Sequence, residues 1–318
     1  MEKWLAGGRG ARISAGLGAA TIAWSSIFVK LSHASPETAA IFRCVYALPL
    51  LALLARLEDR RYGSRAWDDR RPAIYAGFFM AVDLILWHHS IDDVGAGLAT
   101  VLANIQVVLV PLVAWAVLSE NPGRRVLVAL PVTVAGVLLI SGVLEHGAYG
   151  SSPGTGALFG VGAGVAYVGA LLFLRRGGID LRRPAGPLLD LTFTSAVTAC
   201  VIGPIVGHAD FVPVWPGAGW LILLALTSQV AGWLLITISL PRLPAATTSL
   251  LLMIQPVGSL ALGALIFSES PSALQLVGVA LVIGGVIFAT RTSAARPLPA
   301  DQPPRGAGTT ERDPVPAP

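Results

Sequence analysis

Of the polar side chains inside otherwise apolar stretches, five are the best placed to do chemistry: Arg43, Asp83, Gln106, Gln229 and Gln255. Asp83 lies about eleven residues into its apolar run, roughly 16 Å from the polar edge at 1.5 Å per helical residue. An ionised carboxylate at such depth costs several kcal/mol unless it is paired or hydrated, which makes Asp83 the candidate proton carrier. Arg43 enters the preceding run from the other end, and the two differ in depth by only about 6 Å on the same arithmetic. An Arg43–Asp83 ion pair is therefore expected, suited to holding a zwitterionic solute or a proton; a purely architectural pair is the alternative. The three glutamines need hydrogen-bond partners in an apolar medium. With Trp24, Trp87, Tyr167 and Trp233 at similar depth, they line either an amide-and-aromatic cavity or plain interhelical contacts.

Other reactive residue types lead less far. His88 and His89 sit near Asp92 and Asp93, but adjacent helical residues point about 100° apart, so no metal site is expected. Proton sensing by either histidine stays open. Lys30 and Glu37 flank a short turn and read as a solvated rim, with Lys30 also able to snorkel. Cys44 and Cys200 fall in apolar runs and act as small hydrophobes, with neither a disulfide framework nor a zinc site available to them. Gly156, Gly160 and Gly164, four residues apart, read as close helix packing and not as a nucleotide loop. The sequence holds no P-loop, paired-histidine zinc motif or nucleophile elbow, so ATP-driven work within this chain, catalysis and cofactors are not expected.

What positions these residues is a set of membrane spans. The chain has 318 residues, 54% hydrophobic and 13% charged, with a mean hydropathy of +0.71. Soluble domains carry about 25% charged residues. Apolar runs occur at 13–32, 38–55, 73–90, 95–118, 126–143, 155–174, 188–206, 218–240, 245–267 and 273–290. Most approach the roughly 20 residues that cross a bilayer as helix, and continuous runs exclude an alternating β-barrel. The predicted fold is all-α and integral to the membrane, with ten spans.

Charge placement orients them. With the N-terminus in the cytoplasm, 20 of the 22 Lys and Arg residues fall on the cytoplasmic side, and Lys30 and Arg43 lie within or at the edge of spans. This arrangement puts both ends inside and accounts for the +4 net charge without nucleic acid, for which no basic stripe exists. Arg9 and Arg12 before the first run and Ser32-His33-Ala34 after it also fit a cleavable signal peptide. The likeness of Ala23-Trp24 to Ala166-Tyr167 favours a retained helix. Residues 297–318 contain seven prolines and little to bury, so a disordered cytoplasmic tail is expected.

Sliding the chain by 149 residues aligns Ile105-Gln106 with Ile254-Gln255, Ser119-Glu120-Asn121-Pro122 with Ser268-Glu269-Ser270-Pro271, and Gly136-Val137 with Gly285-Val286. Three matches in one register indicate a duplicated five-helix unit. Five being odd, the copies have inverted topology, an arrangement that lets two halves exchange conformations around a central site. The division is then a cytoplasmic N-terminus (1–12), a first repeat (13–143), an extracytoplasmic linker (144–154), a second repeat (155–290) and the tail (291–318). Glu120 with Pro122 and Glu269 with Pro271 read as structural turns, Asn121 or Ser270 serving as N-cap and proline opening the next helix; direct proton or substrate chemistry at the two glutamates is the alternative.

The ten-helix duplication, Trp24, Arg43 and the two Ser-Glu-x-Pro turns resemble the EamA-like family of the drug/metabolite transporter superfamily over about residues 12–290. The resemblance implies an inner-membrane carrier that usually exports amino acids, other metabolites or toxic compounds; membrane lipids and a small-molecule substrate are the expected partners, and the depth of Asp83 adds protons as a candidate. Import, and a polytopic sensor or enzyme without transport, stand as alternatives. Oligomeric state, monomer or homodimer, is left open.

Overall fold

The computed structural model describes residues 8–118, 123–176, 182–239 and 251–290. Within them the structure is helical, without strands: α1 Gly8–Ala23, α2 Ser25–Ser32, α3 Pro36–Val45, α4 Leu48–Tyr62, α5 Trp67–Ala103, α6 Gln106–Leu118, α7 Gly123–Ile140, α8 Pro153–Arg176, α9 Ala185–Val206, α10 Gly217–Leu224, a π-helical stretch Ala225–Gly232, α11 Trp233–Ser239, α12 Ile254–Phe267 and α13 Ala273–Thr290. Among the described residues six stretches are long and apolar enough to cross a membrane: Arg9–Ser32, Pro36–Tyr62, Trp67–Val110, Pro153–Leu174, Ala185–Val206 and Gly217–Ser239. Ile254–Phe267 and Ala273–Ala289 are shorter apolar helices. The turn residues Glu120 and Pro122, the N-terminal residues 1–7 and the tail 291–318 lie outside the described residues.

Several long helices are interrupted partway. Trp24 separates α1 from α2, Tyr46 and Ala47 separate α3 from α4, and Asn104 with Ile105 separates the end of α5 from α6. At the last of these, Asn104 N–H donates to Val101 O and Val107 N–H to Asn104 O, both at 3.1 Å. These three-residue steps are 3₁₀ geometry, which inside a helix marks a hinge or a strained sequence. Met253, at φ −65° and ψ −13° just before α12, repeats the interruption, and it stands 149 residues after Asn104. Gln106 and Gln255 therefore each open the segment after such a turn.

Gly95 is the sharpest break, at φ 86° and ψ 167°, a region an L side chain rarely adopts. Ser90 and Leu102 both lie against Gly160, where an added Cβ would come within 3.0 and 2.6 Å of them. The chain therefore folds back at Gly95, and α5 is two antiparallel arms. The sequence separates these arms at 91–94, but the first arm runs on through Val94 and begins at Trp67, upstream of the expected 73. The second run likewise extends past 55 to Tyr62.

Packing interleaves the two halves of the chain. α8 lies along both arms of α5, α9 packs on α3, α4 and α5, α1 packs on α11 and α12, and α7 pairs with α13. The main buried cluster draws Ile27, Phe28, Leu98, Leu102 and Ile140 together with Leu221, Leu224 and Val282. Glycines permit the closest approaches: a Cβ on Gly77 would sit 2.6 Å from Thr194 Cβ, and one on Gly136 would sit 2.7 Å from Gly278 O.

Candidate functional site

Burying a guanidinium requires an acceptor, and the structure supplies one from the other half of the chain. Arg43 on α3 is 3% exposed, and its Nε donates to Gln229 Oε1 at 3.1 Å. Gln229 is itself buried on the π-helical stretch and passes the chain of bonds on, its Nε2 donating to Thr192 Oγ1 of α9 at 3.2 Å. An extra residue per turn in a π-helix rotates the side chains that follow it, and such stretches concentrate at functional sites. Trp87 lays its ring 5.8 Å from the Arg43 guanidinium carbon, a cation–π contact that a desolvated site strengthens.

The expected Arg43–Asp83 ion pair does not form. Among the described residues Arg43 makes no salt bridge to Asp83; it bonds Gln229 instead, while Asp83 stays within its electrostatic reach. Depth along the helices was matched, but lateral placement gives the guanidinium to the amide across the half-to-half seam. Two consequences follow. The Arg43 Nη nitrogens and the Asp83 carboxylate have no hydrogen-bond partner among the described residues, although both residues are buried. Tyr167 joins the same group, within the field of both charges, and its ring lies 6.0 Å from that of Trp233. Arg43, Asp83, Trp87, Tyr167, Gln229 and Trp233 are thus brought together, with Thr192 as the member the sequence reading missed. A threonine in an apolar helix gives no signal of its own.

Trp24, Gln106 and Gln255 stand apart from this cluster. Trp24 is 41% exposed, stacks on Phe28 at 5.8 Å, and lines an apolar recess of about 240 Å³ with Thr21, Phe28 and Thr227. Gln106 and Gln255 are half-buried, and neither amide makes a hydrogen bond among the described residues.

At the end of the molecule bearing the first turn, the solvated rim of Lys30 and Glu37 is replaced by two separate buried carboxylates. Glu37 is 1% exposed and accepts from His89 Nε2 at 2.9 Å. Lys30 crosses to Glu269 Oε1 at 2.8 Å. Glu269 also accepts from the backbone N–H of Ala96 at 2.8 Å and Gly97 at 3.1 Å. It therefore caps the helix that follows Gly95 and not its own. The helix after Glu269 begins later than expected: Ser272 is its N-cap, accepting from Gln275 N–H at 3.1 Å while Gln275 Oε1 accepts from Ser272 N–H at 3.0 Å. That is a capping box, so Ser270 is not the cap and Pro271 precedes the helix. His88 Nδ1 lies 3.0 Å from Pro36 O; a carbonyl only accepts, so Nδ1 carries the proton. No three His, Cys, Asp or Glu side chains converge as metal ligands among the described residues.

The opposite end is held by arginines and carboxylates. Asp190, buried on α9, accepts from Arg65 at 2.6 Å and Arg70 at 2.8 Å. Arg183 bonds Asp59 at 2.5 Å, and Glu58 accepts from Ala185 and Gly186 N–H, both at 2.9 Å, at the start of α9.

The model of the EamA-like transporter family matches residues 12–142 and 154–291. A protein of Synechocystis sp. (strain ATCC 27184 / PCC 6803 / Kazusa) described as an uncharacterized transporter is 24% identical over 262 residues, covering 76% of this chain and 75% of the relative. A crystal structure shares the fold with a TM-score of 0.57 at 16% identity, over 90% of this chain and 99% of that one. The chain belongs to the EamA-like transporter family of the drug/metabolite transporter superfamily.

Proposed function

We propose that this multi-pass membrane protein is a secondary carrier that exports a small metabolite, amino acid or drug-like compound. In this reading it crosses the inner membrane ten times with both termini cytoplasmic, and its two inverted five-helix halves exchange access to one chamber. One observation carries the reading: a buried cation and a buried carboxylate, Arg43 and Asp83, face each other's field with their outer atoms unbonded. A buried guanidinium and carboxylate that are only partly hydrogen-bonded are costly in a membrane and are retained where a solute, water or proton completes them.

The recurrence of a helix interruption just before Gln106 and Gln255, 149 residues apart, supports a shared hinge in the two halves. Asp83 is the proton-coupling group, and Arg43 with Gln229 orients an anionic or amide-bearing part of the solute against the rings of Trp87, Tyr167 and Trp233. Reconstituted vesicles loaded with a broad solute panel test this. Flux of at least one solute that responds to an imposed pH gradient is expected. Flux absent for every solute, with folded protein in the bilayer, overturns it in favour of a sensor.

A further inference from the structure

Glu269 occupies a cradle built for a carboxylate, and it reaches that cradle from the other half of the chain. Two backbone N–H groups, those of Ala96 and Gly97, point at its oxygens from 2.8 and 3.1 Å, and Lys30 Nζ adds a charged donor at 2.8 Å. The Phe267 ring lies 4.6 Å beneath that same ammonium. Three glycines make the space: a Cβ on Gly95 would stand 2.7 Å from Oε1, one on Gly97 3.4 Å from Oε2, and one on Gly263 would collide with Oε2. Glu269 is 4% exposed, so water competes little for these bonds. Hydrogen bonds between a carboxylate and helix N-terminal N–H groups or an ammonium are charge-assisted and stronger than neutral ones.

The partners divide cleanly by half. Lys30 ends α2, Ala96 and Gly97 open the arm after Gly95, and Glu269 follows α12. Parting the halves at this end breaks all three contacts together. Apolar packing between the halves accompanies the polar contacts at both ends: α9 lies on α3, α4 and α5 at the opposite end, and α12 on α5 with α10 on α2 at this one.

We propose that Glu269 is a positioning residue for transport, the latch that holds the outer end of the chamber shut. It acts through the first-half helix ends and does not touch solute. The inference rests on the carrier reading and its orientation, and the test separates the two. Spin labels are placed at His33→Cys and Ser270→Cys, two exposed positions beside Lys30 and Glu269, in a Cys44→Ala/Cys200→Ala background reconstituted in lipid. Membrane-impermeant reagent should reach both cysteines from outside; failure there refutes the orientation and not the latch.

The label-to-label distance then reads the latch itself. In the otherwise native protein a short separation should dominate. Glu269→Gln should raise the long-separation population about tenfold. Lys30→Met should raise it less, since the two N–H bonds remain, and Glu269→Asp should restore part of the short population. Exchanging the charges, Lys30→Glu with Glu269→Lys, should not restore it, because an ammonium faces the N–H groups unfavourably. An unchanged distance distribution in folded Glu269→Gln overturns the latch. If that variant does not fold, an unchanged distribution in folded Lys30→Met does so.

Discussion

The bond between Arg43 and Gln229 joins the two halves at the centre of the molecule, and its strength can be measured by a double-mutant cycle. Gln229→Leu removes the acceptor of the Arg43 Nε bond, 3.1 Å long, and leaves a cation that is 3% exposed. Hydrogen bonds to charged groups contribute about 1.5–3 kcal/mol in soluble proteins. Interhelical polar contacts measured in a membrane protein average about 0.6 and reach about 1.7 kcal/mol, because the unfolded chain in lipid finds other partners. Arg43 is charged and desolvated, so a value near the upper membrane figure is expected. Gln229→Leu should thus cost about 2 kcal/mol. Arg43→Met should cost less, since Gln229 keeps its bond to Thr192 at 3.2 Å. In the double variant no buried cation remains without an acceptor, so its cost should fall at least about 1 kcal/mol short of the sum. Reversible unfolding in mixed micelles, followed by tryptophan fluorescence, gives each value. Additivity within about 0.5 kcal/mol, the range typical of independent sites, would refute the reasoning.

Further outcomes follow from the same geometry. Asp83→Asn should leave a folded protein whose solute flux no longer responds to a pH gradient across vesicles; a preserved response removes Asp83 from proton coupling. Gly77→Ala should destabilise by about 1–3 kcal/mol, as overpacking does, because its Cβ would lie 2.6 Å from Thr194 Cβ. Gly284→Ala meets nothing within 4 Å and should leave thermal unfolding near the native temperature or slightly raised, as Ala favours helix; equal losses at both sites contradict the packing.

Helix existence was legible in the sequence because apolar composition over some twenty residues is dictated by lipid and by internal backbone hydrogen bonding. Estimated depth put Arg43, Asp83, Trp87, Tyr167, Gln229 and Trp233 on one list with Trp24, Gln106 and Gln255, and the structure brings only the first six together. Neighbours were not legible. Arg43 bonds a residue 186 positions away and Lys30 one 239 positions away, and no local pattern specifies which helix faces which. The Arg43–Asp83 pair and the Lys30–Glu37 rim both differ from the structure for this reason: matched depth stood in for lateral position in the first, and position beside a common turn in the second. The Ser272 capping box was readable as Ser-x-x-Gln, but the preceding Ser270-Pro271 pair offered an equally good start two residues earlier. Gln275 shows how much a single residue can hide. Fully buried, it accepts from Tyr149 N–H at 2.9 Å and donates to Ile140 O at 3.1 Å and Tyr149 O at 3.0 Å, tying the linker between the halves to α13.

The carrier account stands or falls on whether one interior position meets water from both sides of the membrane. A single cysteine at Thr192, beside Gln229 in the buried cluster, in the Cys44→Ala/Cys200→Ala background, can be challenged with an impermeant thiol reagent in sealed vesicles of known orientation. Labelling from either side, slowed by transported solute, is the expected result. Labelling from one side alone, at a rate indifferent to every solute in the panel, contradicts alternating access.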